Sequence, residues 1–177
     1  MDESVLYHIT CKAYPIGKIP PIVGDSYYHL STQADKRAWI NEFLDAIRPN
    51  GKPSRKKSFF ACDSIMNCKA LKSTVAPPHC TPRIYKVKMI NASKSPMALV
   101  NHLLLLGKDN QCCKDVAIEY WKPTLNWKFY EYLSEDMEIM EEVKNDNLTL
   151  TGQKLFWIIS NNPLIDDKSL ANQIFMK

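Results

Sequence analysis

The segment from Arg48 to Ala61 reads R-P-N-G-K-P-S-R-K-K-S-F-F-A and organises the rest of the chain. Its first part combines five cationic side chains with two prolines and a glycine, a composition typical of a turn. Its last part, from Ser58, is mostly apolar and predicts the start of a strand. A basic turn that leads directly into a strand is suited to hold an anion, although most Lys and Arg clusters are solvated surface.

Outward from this stretch, apolar residues recur with either the two-residue spacing of strands or the helical spacing. The 177 residues are enough for one domain with a buried core. The order of the elements, in which strands and helices are mixed, implies an α+β domain. The predicted strands are residues 5–11, 58–62, 83–90 and 126–133, and the predicted helices are 31–47, 64–71, 96–106 and 116–121, with a loop at 14–24.

Two segments near the C-terminus are less regular. Residues 137–143 have the pattern of another strand or of the start of a helix, and the acidic turn Ser134-Glu135-Asp136 before them favours a hairpin. We divide the chain into a domain at residues 1–145 and an extension at 146–177. The extension is expected to pack on the domain or to bind a partner.

The composition predicts a cytoplasmic protein. No apolar run approaches the roughly 20 residues of a membrane helix, and the first residues lack the features of a signal peptide. The cysteines have no C-x-x-C pair and no zinc-finger spacing, so we expect reduced core thiols and no structural metal. They are Cys11, Cys62, Cys68, Cys80, Cys112 and Cys113.

The charges are unevenly distributed along the chain. Residues 1–100 carry 15 Lys and Arg against 7 Asp and Glu, whereas residues 101–177 carry 8 against 12. The basic half contains the candidate anion site, and a dinucleotide, RNA or DNA would be attracted to such a face. The predicted basic face consists of residues 48–57 together with Lys86 and Lys88.

The common phosphate-binding and hydrolase motifs are absent, and five glycines are too few for extensive backbone cradles. Any phosphate would therefore be held largely by side chains.

Tyr7-His8-Ile9-Thr10 resembles the first motif of the ADP-ribosyltransferase superfamily, in which a Y-H-x-T strand supplies a histidine to a ribose hydroxyl of NAD. The resemblance continues along the chain, in the order typical of a bacterial and phage branch that is itself a domain of unknown function. The matching segments are Arg48-Pro49, Pro53-Ser54-Arg55, Ser58, Phe60-Ala61, Ile84-Tyr85-Lys86-Val87, Tyr120-Trp121 and Glu131.

This resemblance covers about residues 5–143 and implies split, twisted β-sheets with flanking helices that hold NAD in the cleft between them. It implies that Glu131 is the catalytic carboxylate, beside the ribose whose bond to nicotinamide is broken. Glu119 and Glu135 are rival carboxylates, and a solvent-facing strand residue is the plain alternative for Glu131. The implied NAD-binding residues are His8, Thr10, Ser54, Arg55, Ser58 and Phe60, with Arg55 on the pyrophosphate.

One position departs from the superfamily pattern. Ser58 stands where related enzymes place a tyrosine, and the candidates for the aromatic support of nicotinamide are Tyr27, Tyr28 and Phe60. His8 taken alone is also compatible with an ordinary buried histidine.

The resemblance predicts an NAD-dependent ADP-ribosyltransferase that modifies a macromolecule, as a toxin, a phage-defence effector or a phage-encoded modifier. The basic face favours RNA or DNA slightly over protein as the acceptor, and the extension is a possible contact for a protein partner or antitoxin. Three alternatives remain open: an NAD glycohydrolase, a non-catalytic nucleotide- or RNA-binding module, and a structural or interaction protein.

Overall fold

A computed structural model describes residues 5–26, 38–70, 81–127 and 129–144. Within these ranges the chain forms antiparallel strands and short helices, in agreement with the predicted α+β class. The strands are β1 (Leu6–Thr10), β2 (Gly17–Ile19), β3 (Phe59–Cys62), β4 (Arg83–Ile90), β5 (Ser93–Pro96), β6 (Tyr130–Ser134) and β7 (Asp136–Val143). The helices are α1 (Ala38–Ala46), α2 (Ile65–Ala70), α3 (Ala98–Leu106) and α4 (Cys113–Trp121), with a 3-10 turn at Arg55–Lys57.

One long, bent antiparallel ribbon flanks the two central strands of the sheet, β1 and β3. β4 followed by β5 forms one arm, and β6 followed by β7 forms the other. The two arms keep the same register on both sides of a corner, because Ile90 pairs with Asp136 before it and Ser93 pairs with Leu133 after it. The strand order β2-β7-β4-β1-β3-β6-β5 follows from this ribbon, since β1 pairs along β4 and β3 pairs along β6.

The corner of the ribbon is fixed by local chemistry. Asn91 adopts a positive φ of 53°, a conformation that asparagine tolerates better than most residues. On the other arm, the Ser134 hydroxyl lies 2.5 Å from the Ile90 carbonyl oxygen and accepts a hydrogen bond from the Asp136 amide at 3.1 Å. These contacts hold the two arms together where the ladder is interrupted.

The sheet has two halves that meet between β1 and β3. One half consists of β2, β7, β4 and β1, and the other consists of β3, β6 and β5. These two strands share a single register pair, Tyr7 with Cys62, whereas β1 and β4 share five pairs. The His8 side chain reinforces the junction, because its Nδ1 lies 2.7 Å from the Phe60 carbonyl oxygen. The sheet therefore has few backbone pairings at its middle, between β1 and β3, and regular strand pairing on either side.

Each face of the sheet has its own core. On one face, which we call the helix-side face, α1, α3 and α4 pack on β6, and the Trp121 indole donates to the Leu44 carbonyl at 2.8 Å. On the other, the loop-side face, the segment 11–26 covers β1, β3, β4 and β7. The largest buried side chains of the helix-side core are Trp121, Tyr120, Ile40, Leu44, Leu99, Leu103 and Leu133, and those of the loop-side core include Tyr85, Met137 and Ile139.

Most predicted elements agree in type with the structure, but two predictions are wrong and one strand was not predicted. β6 and β7 do not form a hairpin, because they follow one another along the same arm of the ribbon and pair with different strands. The predicted loop at 14–24 contains β2, which pairs with β7, and β5 precedes the helix predicted from residue 96. Residues 31–37 of the first predicted helix, residue 71 and the extension 146–177 lie outside the described residues.

The cysteines agree only in part with the prediction of reduced thiols. Cys62, Cys68, Cys112 and Cys113 are thiols that form no disulfide, but Cys11 is disulfide-bonded. Cys68 is fully buried and its Sγ lies 3.0 Å from the Tyr7 carbonyl oxygen, in keeping with a small core residue. No helix in the described part of the chain is both long and apolar enough to span a membrane.

The helix-side core predicts unequal effects of two leucines in α3. Leu103 is fully buried, so Leu103→Ala should lower the free energy of unfolding by about 2–5 kcal/mol, because it removes contacts and leaves a cavity. Leu105 is 79% exposed, and Leu105→Ala should change stability by no more than about 0.5 kcal/mol. Urea unfolding of the two variants measures both values, and equal losses would contradict the packing of α3.

Candidate active site

The basic turn is held by one acidic side chain. Asp45, at the end of α1, accepts hydrogen bonds from the Ser54 hydroxyl at 2.6 Å, from the Arg55 amide at 2.6 Å and from the Lys56 amide at 3.2 Å. The first amides of such a turn lack partners within the turn itself, so a carboxylate satisfies them and favours this conformation. As a result, the Arg55 side chain points into the protein.

Arg55 is the most unusual residue of the turn, because its side chain is only 1% exposed. Its Nε donates to the Asn41 Oδ1 at 2.8 Å, and its Nη1 contacts both the Tyr120 hydroxyl and the Glu131 Oε1. The guanidinium also lies 4.9 Å from the centre of the Phe60 ring. A buried cation is tolerated only when it is paired and hydrogen-bonded, and Arg55 meets both conditions.

Glu131 is the carboxylate that receives Arg55. It lies on β6, pairs with Cys62 on one side and Ser95 on the other, and is 7% exposed. The Tyr120 hydroxyl donates to its Oε1 at 2.6 Å. Burial raises the pKa of Tyr120 well above its usual value, so this phenol stays protonated and can donate.

Three of the other predicted binding residues lie around Arg55. Phe60 packs its ring against the guanidinium. Both donors of Ser54 have partners in the protein: its amide donates to the Glu135 Oε1 at 2.8 Å, and its hydroxyl donates to Asp45. The Ser58 hydroxyl donates to the Ser54 carbonyl at 2.6 Å. In this structure the two serines therefore stabilise the turn.

His8 and Thr10 lie on the opposite face of the sheet from Glu131. Tyr7 pairs with Cys62 and Cys62 pairs with Glu131, so these three side chains share the helix-side face. Successive residues of a strand alternate between faces, which places His8 on the loop-side face. The structure thus brings Arg55 and Glu131 together but does not bring His8 to them.

The surroundings of His8 are aromatic. Its ring centre is 6.1 Å from that of Tyr14 and 6.1 Å from that of Phe59, which meets it edge-on. Nδ1 bonds to the Phe60 carbonyl, whereas Nε2 is buried without a hydrogen-bond partner among the described residues. Burial lowers the pKa of His8 from 6.5 to about 4, so the imidazole is neutral near pH 7.

The rival carboxylates have structural roles. Glu119 accepts hydrogen bonds from the Thr124 and Leu125 amides at 3.0 Å and from the Trp127 indole at 2.8 Å, which anchors the segment after α4. Burial acts to raise the pKa of Glu119, but the hydrogen bonds from Trp127 and Thr124 lower it overall. Glu135 receives the Ser54 amide, as described above.

Much of the predicted basic face is occupied by contacts within the protein. Arg55 is buried, Lys56 pairs with Glu42 at 2.9 Å, and Lys86 pairs with Glu141 at 3.5 Å. The Arg48 Nη1 donates to the Lys52 carbonyl. The candidate nicotinamide supports Tyr27 and Tyr28 lie outside the described residues.

Two members of the buried cluster were not among the predicted site residues. Asn41 occupies the apolar side of α1 between Ile40 and Leu44, and a polar residue at such a position is a usable signal. Tyr120 belongs to the Tyr120-Trp121 segment that carried the resemblance, but it was given no role.

Comparison of the sequence with models of known protein families gives no match, and comparison with curated protein sequences gives none either. The part of the chain that the structure describes contains no group of three or more His, Cys, Asp or Glu side chains able to hold a metal ion.

The burial of the Arg55–Glu131 pair predicts a large effect of breaking it. Arg55→Met should lower the free energy of unfolding by about 3–5 kcal/mol, because it leaves a buried carboxylate without its cation. Lys56→Met, which breaks an exposed pair in the same turn, should cost only about 0.2–1 kcal/mol. In urea unfolding, the double variant Arg55→Met/Glu131→Leu should be more stable than the sum of the single losses predicts. Strict additivity would show that the two residues are not coupled.

The lowered pKa of His8 predicts that the stability of the protein depends on pH. Its folded pKa of about 4 lies below its unfolded value of 6.5, so the unfolded state binds more protons between these two values. The contribution of neutral His8 is complete above about pH 6.5 and is lost as the pH falls towards 4, at up to about 1.4 kcal/mol per unit. His8→Asn should remove this component, which is measured as the difference between the two proteins in urea unfolding across that window. Parallel pH profiles would contradict the prediction.

Proposed function

We propose that the protein is an NAD-dependent ADP-ribosyltransferase, with Glu131 as the catalytic carboxylate and Arg55 as the residue that receives the pyrophosphate. The single observation that carries the proposal is the contact between Arg55 and Glu131, which are 76 positions apart in sequence. The resemblance assigned the two residues to one site, and the fold brings them within hydrogen-bonding distance. Pairs of ionisable groups withdrawn from water are common at functional sites.

The architecture of the sheet also supports the proposal. A sheet whose halves meet through one register pair is compatible with the split, twisted sheets that the resemblance implies. The buried Nε2 of His8 does not add to this support, because it lies on the face of the sheet opposite to Glu131.

The chemistry requires a negative charge close to a developing positive one. When the bond between the ribose carbon and the nicotinamide nitrogen breaks, its electron pair leaves with nicotinamide and the ribose carbon becomes cationic. A nucleophilic oxygen or nitrogen of the acceptor forms the new bond and releases its proton. A carboxylate fixed by Tyr120 stabilises the cationic carbon without having to reorganise.

For this role, NAD has to displace the contact between Arg55 and Glu131, because the same Nη1 of Arg55 already binds the carboxylate. Guanidinium groups bind pyrophosphate oxygens in a bidentate way, so the exchange replaces one charged partner by another. The charge of Arg55 is thus compensated before and after binding.

A second candidate is a nucleotide- or RNA-binding module without turnover. It is favoured by the burial of both members of the pair and by the position of His8 on the other face of the sheet. In that case the Arg55–Glu131 contact stabilises the fold, and the loop-side face carries the ligand.

Replacement of one carboxylate distinguishes the two candidates. Glu131→Gln keeps the size of the side chain and should lower NAD consumption by about 10²–10⁴-fold, a range typical of a lost acid, base or charge in the transition state. Glu141→Gln, on the exposed end of β7, is the matched control and should leave consumption unchanged. Nicotinamide release measures the reaction, and circular dichroism confirms that both variants fold.

Labelled NAD incubated with a cell extract identifies the acceptor. Label that is removed by nuclease indicates nucleic acid, label removed by protease indicates protein, and nicotinamide release without label indicates a glycohydrolase. Equal turnover of the wild type and Glu131→Gln would exclude Glu131 as the catalytic group. A folded wild type that binds NAD without releasing nicotinamide would favour the binding module.

A further inference from the structure

One lysine on the loop-side face lies over two aromatic rings. Lys94 on β5 pairs with Tyr132 on β6, and its Nζ is 4.0 Å from the centre of the Tyr130 ring and 5.9 Å from that of Tyr132. Lys94 is exposed, whereas both tyrosines are half-buried. We call Lys94, Tyr130 and Tyr132 the lysine–tyrosine patch.

The rings of this patch are held by the fold. Tyr132 pairs with Ala61 and packs on the loop-side core, which also contains Phe59. The Tyr130 hydroxyl accepts a hydrogen bond from the Trp127 amide at 3.1 Å, which fixes one edge of the ring. The register places Tyr132 and His8 on the same face of the sheet, whereas Tyr130 packs against the helix-side core.

The Lys94 ammonium group contacts aromatic rings rather than a described carboxylate. Among the described residues Lys94 forms no ion pair, whereas Lys18, Lys56 and Lys86 each contact a carboxylate. The Tyr132 hydroxyl likewise has no hydrogen-bond partner in the described part of the chain. Burial, followed by the negative charge of Asp63, raises the pKa of Tyr132, so the phenol carries no charge that would repel an anion.

We propose that the lysine–tyrosine patch binds single-stranded nucleic acid. The inference goes beyond the proposed function, because Lys94 and Tyr132 lie on the face of the sheet opposite to Glu131. Aromatic side chains on a sheet stack on unpaired bases of any sequence. Lys94 lies over the rings, so it has to move aside when a base stacks there, and its ammonium group then binds the backbone phosphate. A duplex hides its base faces, so the patch selects single strands. The surface differs from the basic face that the sequence predicted, since much of that face is engaged within the protein.

Fluorescence anisotropy with a short, labelled oligouridine tests the proposal on the full chain without NAD. Lys94→Gln should weaken binding and reduce the slope of log affinity against log salt by about 0.7, the value for one lost phosphate contact on a single strand. Lys114→Gln, on the exposed side of α4, removes the same charge and should leave both quantities unchanged. Tyr132→Leu should weaken binding by about fivefold or more with the salt slope unchanged, because only stacking is lost.

The outcomes separate this inference from the proposed function. Equal effects of Lys94→Gln and Lys114→Gln, tighter binding of a duplex of the same length, or no binding of oligouridine would overturn the patch, whatever the NAD assay gives. Patch-dependent binding by a protein that releases no nicotinamide would support the patch and remove the transferase. Circular dichroism of Tyr132→Leu checks its fold, and Lys94→Gln, which changes only an exposed side chain, keeps the test decisive if that variant unfolds.

Discussion

The structure depends on the enclosure of one guanidinium. A cation removed from water is stable only if acceptors surround it, and the acceptors of Arg55 come from separate parts of the chain: Asn41 from α1, Tyr120 from α4 and Glu131 from β6. Asp45 at the same time binds the backbone of the turn that carries the arginine. This one side chain therefore fixes how two helices and the sheet are placed relative to the basic turn.

The bent ribbon determines what can lie beside that arginine. Since β3 pairs with β6, Phe60 and Glu131 both face the helices, and Arg55 enters between them. The weak junction of β1 and β3 places His8 next to β3 but on the opposite side. The two polar centres, one built on Arg55 and the other on His8, are thus separated by the thickness of the sheet while sharing the strand that follows the basic turn.

Much of this arrangement could be read from the sequence, because alternation and helical spacing are local properties. They located β1, β3, β4 and most of the helices, and they separated Glu131 from Tyr132 within β6. They could not give the relation between strands. Whether His8 and Glu131 lie on the same face of the sheet depends on the register of β1 against β3. The hairpin prediction failed because the strands that pair with β6 and β7 lie far away in sequence. The contact of Arg55 with Glu131 was anticipated only through the resemblance. The polar Asn41 on the apolar side of α1 was a signal in the sequence, but the contacts of Asn41 and Tyr120 with Arg55 became visible only in three dimensions.

The order of pairing along the ribbon also has a consequence during synthesis on the ribosome. The N-terminal strand β1 needs β4 as its main partner, and β3 needs β6, so the first part of the chain leaves the ribosome before most of its ladder exists. The ribbon and the two helices between its arms are, by contrast, contiguous from residue 83 to residue 143. We expect this later segment to form its own ladder first and the earlier strands to dock onto it through contacts of long sequence separation, a topology associated with slow folding. Until then the nascent apolar strands are exposed, a state in which chaperones bind and aggregation competes.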